Sequence, residues 1–420
     1  MNYLLKNGLV YTGGKFIKSN LSIIEGEVFL STPENESGFS VVDCLNKYIF
    51  PGFVDVHVHL REPGFSYKET VKTGTAAAAA SGYSALMTMP NLNPVPDRLE
   101  NLKIQQDIID KDAIVSVYPV ASITKGEKGQ ELSDMEELAG KVLAFSDDGR
   151  GVQQEEFMIR AMQIAKKHGK IITAHCEDDT LLNGGYIHDG EYARLHGHKG
   201  ICSASEYKQV ERDLKLVKEI GVKYHVCHVS AAESVEAIRK AKKEGVNVTA
   251  ETGPHYLVFN DMMLSNDGGF KMNPPIRAER DRVALIEGIK DGTIDAIATD
   301  HAPHSAEEKS KGLLSLNGIV GLETAFPVIY TEFVKKGVFS LEKVIEIMSV
   351  NPAERFGIDV KIADGKKANL TVFDLDAEYV INPDEFLSKG KSTPFKGRKV
   401  FGKCLMNFCN GKKVYDINEK

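Results

Sequence analysis

Four histidines and two aspartates stand at the ends of short β-rich runs: His57 and His59 in FVDVHVH, Asp148 in FSDD, His175 in AHCED, His228 in VCHVS and Asp300 in IATDH. Neutral imidazoles and carboxylates are ligands for divalent cations of the Zn²⁺ type, and Mn²⁺ or Co²⁺ also suits such a set. Imidazoles at i and i+2 share one face of a strand and can hold the same ion. A lone strand histidine usually just satisfies a neighbour. Six such groups at one rim would, without cations, leave lone pairs unpaired and like charges repelling. Two Zn²⁺ ions are therefore expected, with Asp148, from a strand in the middle of the set, bridging ions about 3.5–4 Å apart as in binuclear hydrolases.

The elements that must position these residues alternate. From residue 49 onward eight runs (IFPGFVDVHVH, SALMTMPN, AIVSVYPVAS, KVLAFSDD, KIITAHCED, KYHVCHVS, NVTAETGPH, DAIATDHAPH) are separated by helical stretches such as Glu69 to Ala80, Gln154 to His168, Ser205 to Ile220, Ala231 to Glu244 and Glu279 to Lys290. Strand and helix pairs in this order predict an α/β fold, a (β/α)8 TIM barrel over residues 49–359, with its chemistry at the C-terminal ends of the strands. Residues 1–48 and 360–420 are strand-like with Gly and Asn turns, and are expected to pack together as a small β-sandwich domain, because either piece alone would be marginal.

Side-chain alternation gives a test of each ligand. It turns Val54, Val56 and Val58 toward the helices and Asp55, His57 and His59 inward. It favours Asp148, in step with small Ala144 and Ser146, over Asp147, in step with Phe145. His175 falls with Thr173, His228 with Val226, and Asp300 with Ala296 and Ala298, which leaves His225 and Cys227 facing outward.

The bulk properties narrow the class. With 42% hydrophobic and 26% charged residues over 420 positions, the chain has the composition of a globular enzyme. A net charge of -7 and the absence of a Lys/Arg tract interleaved with aromatics argue against nucleic acid. Nothing resembles a signal-peptide core or a membrane span, so no membrane partner and a cytoplasmic location are expected. The six cysteines lack a CxxC pair and read as free thiols, with Cys176 and Cys227 buried and inert. Ser305 to Gly312 (SAEEKSKG) reads as a solvated charged loop rather than a lid, and His188, His196 and His198 as exposed residues of a polar loop.

FPGFVDVHVHLREPG, MTMPN, HCED, CHVS, KMNPPIR and ATDHAPH together resemble the amidohydrolase superfamily, and within it the dihydroorotases of the long, type I class, over nearly the whole chain. The resemblance implies that His57, His59 and Asp300 hold one metal, His175 and His228 the other, and that Arg61, Asn91, Asn273 and His304 bind the substrate, a cyclic amide with an exocyclic carboxylate. Arg61 suits the carboxylate because a guanidinium pairs it bidentately. For Asn91 and Asn273, turn chemistry beside Pro94 and Pro274 is the alternative. Many superfamily members bridge their metals with a carbamylated Lys on strand 4; here Lys141 lies at the wrong end of that strand and Asp148 at the right one.

The implied reaction is reversible hydrolysis of (S)-dihydroorotate to N-carbamoyl-L-aspartate, a step of pyrimidine synthesis, with Asp300 as the proton carrier. The resemblance leaves room for a homodimer and for association with a transcarbamoylase. Rival readings are a hydantoinase, dihydropyrimidinase or allantoinase, or a barrel retained as a non-catalytic scaffold. AETGPHY departs from the adjacent histidines that relatives often carry there.

Overall fold

In the computed structural model, which describes residues 1–419, the apolar runs become eight parallel strands, numbered here 1 to 8. They are Phe53–Val58, Tyr83–Thr88, Ser116–Pro119 continued by Ala121–Ser122, Ala144–Ser146, Ile171–Ala174, Lys223–Val226, Val248–Thr252 and Ala296–Ile297. Each pairs in parallel with its neighbour in chain order. The ring closes where Val58 bridges His301 and the His59 amide donates to the His301 carbonyl. The result is the expected TIM barrel.

Helices Val71–Ala80, Leu99–Asp112, Glu155–Lys167, Ala204–Ile220, Ala232–Lys243 and Glu279–Lys290 cover the outside. Ala204–Ile220 stops where Gly221 adopts φ 77°, a left-handed C-cap that only glycine takes without cost. Leu86, Phe145, Ile172, Tyr224, Val226 and Ile297 pack with these helices in the main core. The lumen has its own apolar filling, which includes Val54, Val56, Ala85, Met87, Ala144, Ile171, Cys227 and Ala298.

That division corrects the alternation argument on two strands. In strand 1 the register slips between Asp55 and Val58, which face Leu86 and Thr88 of strand 2. Val56 and His57 thus share the space opposite Met87, as in a β-bulge, where two residues oppose one. Val54 and Val56 accordingly fill the lumen rather than facing the helices. Asp55 lies in the wall, where its carboxylate accepts from Thr299 Oγ1 at 2.6 Å and from the His57 amide at 3.1 Å. Burial pushes its pKa up to about 7. In strand 6 the parity is the reverse of the expected one: Tyr224 and Val226 pack outward, while His225 and Cys227 face the lumen.

Both chain ends meet in one eight-stranded sheet: Asn2–Thr12, Lys15–Ile24, Glu27–Phe29, Phe39–Asp43 and Tyr48–Pro51 from the first, Leu370–Val380, Lys399–Cys409 and Lys412–Asp416 from the second. Ile49, Phe50 and Pro51, expected as the start of barrel strand 1, lie instead in Tyr48–Pro51, which pairs with Asn2–Thr12 and Leu370–Val380. The chain crosses from sheet to barrel at Gly52, where a Cβ would lie 1.7 Å from Ser84 Oγ. Phe50 and Phe373 of the sheet meet Phe53 and Phe326 of the barrel with ring centroids 4.6–5.9 Å apart. Among the described residues no helix is long and apolar enough to cross a membrane.

Phe373→Ala is expected to lower stability by about 3–5 kcal/mol, the usual cost of emptying a buried aromatic site. Equilibrium denaturation in urea measures it; a loss under about 1 kcal/mol would mean that the aromatic cluster contributes little to holding sheet and barrel together.

Candidate metal centre

At the C-terminal mouth of the barrel the Asp148 carboxylate lies among four imidazoles: 3.3 Å from His57 Nε2, 3.5 Å from His59 Nε2, 3.6 Å from His228 Nε2 and 3.9 Å from His175 Nδ1. Asp300 Oδ1 stands 3.1 Å from His59 Nε2 and 3.6 Å from His57 Nε2. All six side chains named from the sequence converge here, and all are buried. Asp147 turns away, its carboxylate accepting from the amides of Ile123 and Thr124 and from the Thr124 hydroxyl.

Backbone geometry delivers two of these ligands. His228 has φ 32° and Asp300 φ 48°, left-handed values that side chains other than glycine rarely take. In strand 6 this turn lets His228 point into the mouth directly after Cys227 has pointed into the lumen. Local strain of this kind persists where the surroundings over-determine it, and it concentrates at functional sites. Arg61, with φ 61°, shares the feature.

The donor chemistry fits a cation. His57 Nε2 and Asp148 Oδ1, 3.3 Å apart at the centre, are buried with no hydrogen-bond partner, a cost that a shared cation would remove. The trios His57, His59, Asp300 and His57, Asp148, His228 bring their ligand atoms within 4.8 Å of one another. A third trio, His57, Cys227 and Glu251, meets the same distance test; burial, however, pushes the Cys227 thiol up to about 12, which keeps it a protonated filler. Burial alone would discharge both His57 and Asp148. Their mutual attraction overrides it, holding the carboxyl well below and the imidazole well above the ordinary value.

Carboxylates that the motif reading passed over orient the ligands. Glu251, inside strand 7, accepts from His57 Nδ1 at 2.7 Å and pairs with His225 Nε2 at 3.0 Å, which leaves His57 Nε2 free to face the centre. Glu177 pairs with His175 Nε2 at 3.4 Å and accepts from Asn273 Nδ2 at 3.0 Å. The signal for Glu251 was a lone acid within VTAET; Glu177 lay in the quoted HCED but two residues past the ligand.

The other predicted residues surround the centre. Asn91 Nδ2 donates to the Asp148 carbonyl at 2.7 Å, and Asn91 Oδ1 and Asn273 Oδ1 are buried without partners. Arg61 is 9% exposed, its Nε donating to the Pro303 carbonyl at 3.2 Å. Burial lowers the Arg61 pKa to about 10, which leaves it charged at neutral pH. His304 Nε2 lies 2.7 Å from the Asn317 carbonyl, which can only accept, so that nitrogen carries the proton. His304 Nδ1 then accepts from Lys68 Nζ at 3.2 Å. Burial, with Arg61 and Lys68 nearby, lowers the His304 pKa to about 4 and keeps the ring neutral. Nothing in the pattern around YKET marked Lys68.

A cavity of about 290 Å³ lined by Glu127, Arg150, Glu177, Lys271, Asn273 and Asn317 opens beside the centre. His188, expected to be exposed, is 7% exposed and packs beneath Gly190.

The Dihydro-orotase-like family model matches residues 46–234. Dihydroorotases of Fusobacterium nucleatum subsp. nucleatum and Bacillus caldolyticus are 48% and 47% identical to this chain, each alignment covering 99% of both proteins. The chain belongs to the dihydroorotase family. Among solved structures, the L-hydantoinase (dihydropyrimidinase) of Arthrobacter aurescens superposes with a TM-score of 0.88 at 25% identity, covering 99% of this chain and 96% of its own. The dihydropyrimidinase of Brevibacillus agri NCHU1002, at 22% identity and a TM-score of 0.85, covers 99% and 95% and shares the fold.

For this member of the dihydroorotase family, Glu251→Gln is expected to weaken metal binding about 10–100-fold, because His57 loses the charged acceptor that fixes its ring. Chelator competition followed by metal analysis measures the change; wild-type affinity would show that Glu251 serves only packing.

Proposed function

We propose that this enzyme interconverts (S)-dihydroorotate and N-carbamoyl-L-aspartate, the ring-closing step of pyrimidine synthesis, as a type I dihydroorotase with two zinc ions. The observation that carries the reading is the Asp148 carboxylate lying within 3.9 Å of a ring nitrogen of every histidine in the centre. His57, His59 and Asp300 would hold one ion and His175 and His228 the other, with Asp148 shared between them. Bound ions of this kind polarise an amide carbonyl and acidify water.

The chain's own residues supply the rest. Arg61, charged in a nearly dry setting, faces the substrate carboxylate, and its fork geometry favours two parallel hydrogen bonds. The unpartnered Asn91 Oδ1 and Asn273 Oδ1 are acceptors for substrate N–H groups. Asp300 Oδ takes the proton of the attacking water and returns it to the departing ring nitrogen, a transfer that its place beside His59 allows. In the reverse direction the same carboxylate removes the ureido proton as the ring closes.

The fold neighbours keep hydantoinase chemistry as the second reading. Hydantoin has no exocyclic carboxylate, so Arg61 favours dihydroorotate; Asp148 at the end of strand 4, with Lys141 exposed before its start, favours the type I class. A non-catalytic scaffold would not need the complete ligand set.

Metal-replete protein offered dihydroorotate, hydantoin and allantoin separately is expected to turn over only the first; hydrolysis confined to the other two would overturn the assignment. Asp300→Asn is expected to lower kcat by about 10²–10⁴-fold, the range of a lost acid/base group, with bound metal retained by elemental analysis. Near-normal turnover of that variant would remove Asp300 from the proton path.

A further inference from the structure

The segment after strand 8 is anchored in a way that its charged sequence does not suggest. Ser305 and Glu308 form a capping box around the short turn Ala306–Lys309. Lys309 then runs inward and is 7% exposed. Its Nζ donates to three backbone carbonyls: Gly318 at 2.7 Å, Leu316 at 2.8 Å and Lys271 at 3.0 Å. An ammonium has three N–H donors, and all three are used. Its direct contacts are carbonyl dipoles, the arrangement of a small-cation cage, and among the described residues no carboxylate pairs with it; burial and the neighbouring Lys271 pull its pKa down to about 7 against the more distant support of Asp267 and Glu308, while three carbonyl acceptors call for the ammonium form. Burying a charge without a counter-ion is costly, which argues for a purpose.

The cage joins two stretches that carry substrate-facing residues. Lys271 lies two residues before Asn273, and the Gly318 amide also donates to the Lys271 carbonyl at 3.0 Å. Gly318 follows Asn317, whose carbonyl accepts the hydrogen bond from His304 Nε2–H. Gly318 itself has φ 132°, and a Cβ there would lie 2.5 Å from the Ala302 carbonyl oxygen and 3.1 Å from His304 Cδ2, so the fit against His304 is close. Apolar burial does little to hold the segment, since Leu314 and Leu316 are 64% and 48% exposed and only Leu313 is buried.

We propose that Lys309 is a positioning residue whose ammonium acts as a built-in cation, clasping the segment after strand 8 to the stretch bearing Asn273 and thereby setting Asn273 and His304 against the substrate. The inference rests on the dihydroorotase reading for its kinetic consequence, but not for the cage. Without the side chain, the three carbonyls form a site for a small monovalent ammonium.

The experiment uses Lys309→Ala, which empties the cage, and Lys309→Met, which fills it without charge. Both variants are expected to raise KM for dihydroorotate about tenfold, the worth of one charge-assisted hydrogen bond, with kcat nearly unchanged. Methylammonium should restore KM in Lys309→Ala but not in Lys309→Met, and should raise the melting temperature of Lys309→Ala in the absence of substrate while leaving the wild type unmoved. Wild-type KM in both variants, loss of kcat that methylammonium does not restore, or failure of both variants to fold would overturn the proposal. If the wild type proved inert toward dihydroorotate, the functional reading would fall, whereas the substrate-free melting shift would still decide the cage.

Discussion

A carboxylate buried among four imidazoles cannot be left to itself. Its oxygens and the ring nitrogens around it are withdrawn from water, Asp148 Oδ1 and the facing His57 Nε2 have no hydrogen-bond partner, and in a medium of low polarity each such group costs free energy comparable to a lost hydrogen bond. Asp148 is that carboxylate, and much of the mouth of the barrel follows from satisfying it. His57 is turned toward it by Glu251, His175 is steadied by Glu177, and the Asp148 carbonyl is held by Asn91. The backbone accepts left-handed conformations at His228 and Asp300 to bring their side chains in. A cation completes such a set because it is the one partner that all the lone pairs can share.

Away from that cluster the charge pattern changes. Arg61 and Lys68 flank His304, which burial and their proximity keep neutral, so the Arg61 side of the mouth is cationic while the side of the imidazole and carboxylate cluster is rich in acceptors.

The terminal sheet has no residue at the centre, yet it sets the frame. Its strands from both ends of the chain meet beside Tyr48–Pro51, and the aromatic contact of Phe50 and Phe373 with Phe53 and Phe326 ties that sheet to the base of strand 1. Two residues after Phe53 come Asp55 and then the bulge that carries His57. The register against strand 2 slips both after Phe53 and between Asp55 and Val58, so the sheet anchors the start of the strand while pairing with strand 2 places His57.

The residues that converge at the mouth of the barrel were legible in the chain. Histidine and aspartate at the ends of eight alternating runs name their own chemistry, and the composition of the runs dictates strands and helices in barrel order. Asp148 rather than Asp147 also turns inward as alternation suggested, although strand 4 ends at Ser146 and Asp148 stands in the turn just beyond it. Alternation failed for Val56 and Asp55, where a bulge shifts the register, and for His225 and Cys227, where a left-handed residue ends strand 6. Neither irregularity has a local signature, since both are imposed by pairing with neighbouring strands. The buried Glu251 and Lys309 and the half-buried Lys68 were hidden for a related reason: an acid or a lysine in sequence reads as solvated until the packing around it removes the water. Residue types and their spacing name the atoms able to do the chemistry; which of them face one another depends on register, bulges and burial, and those exist only once the barrel has closed.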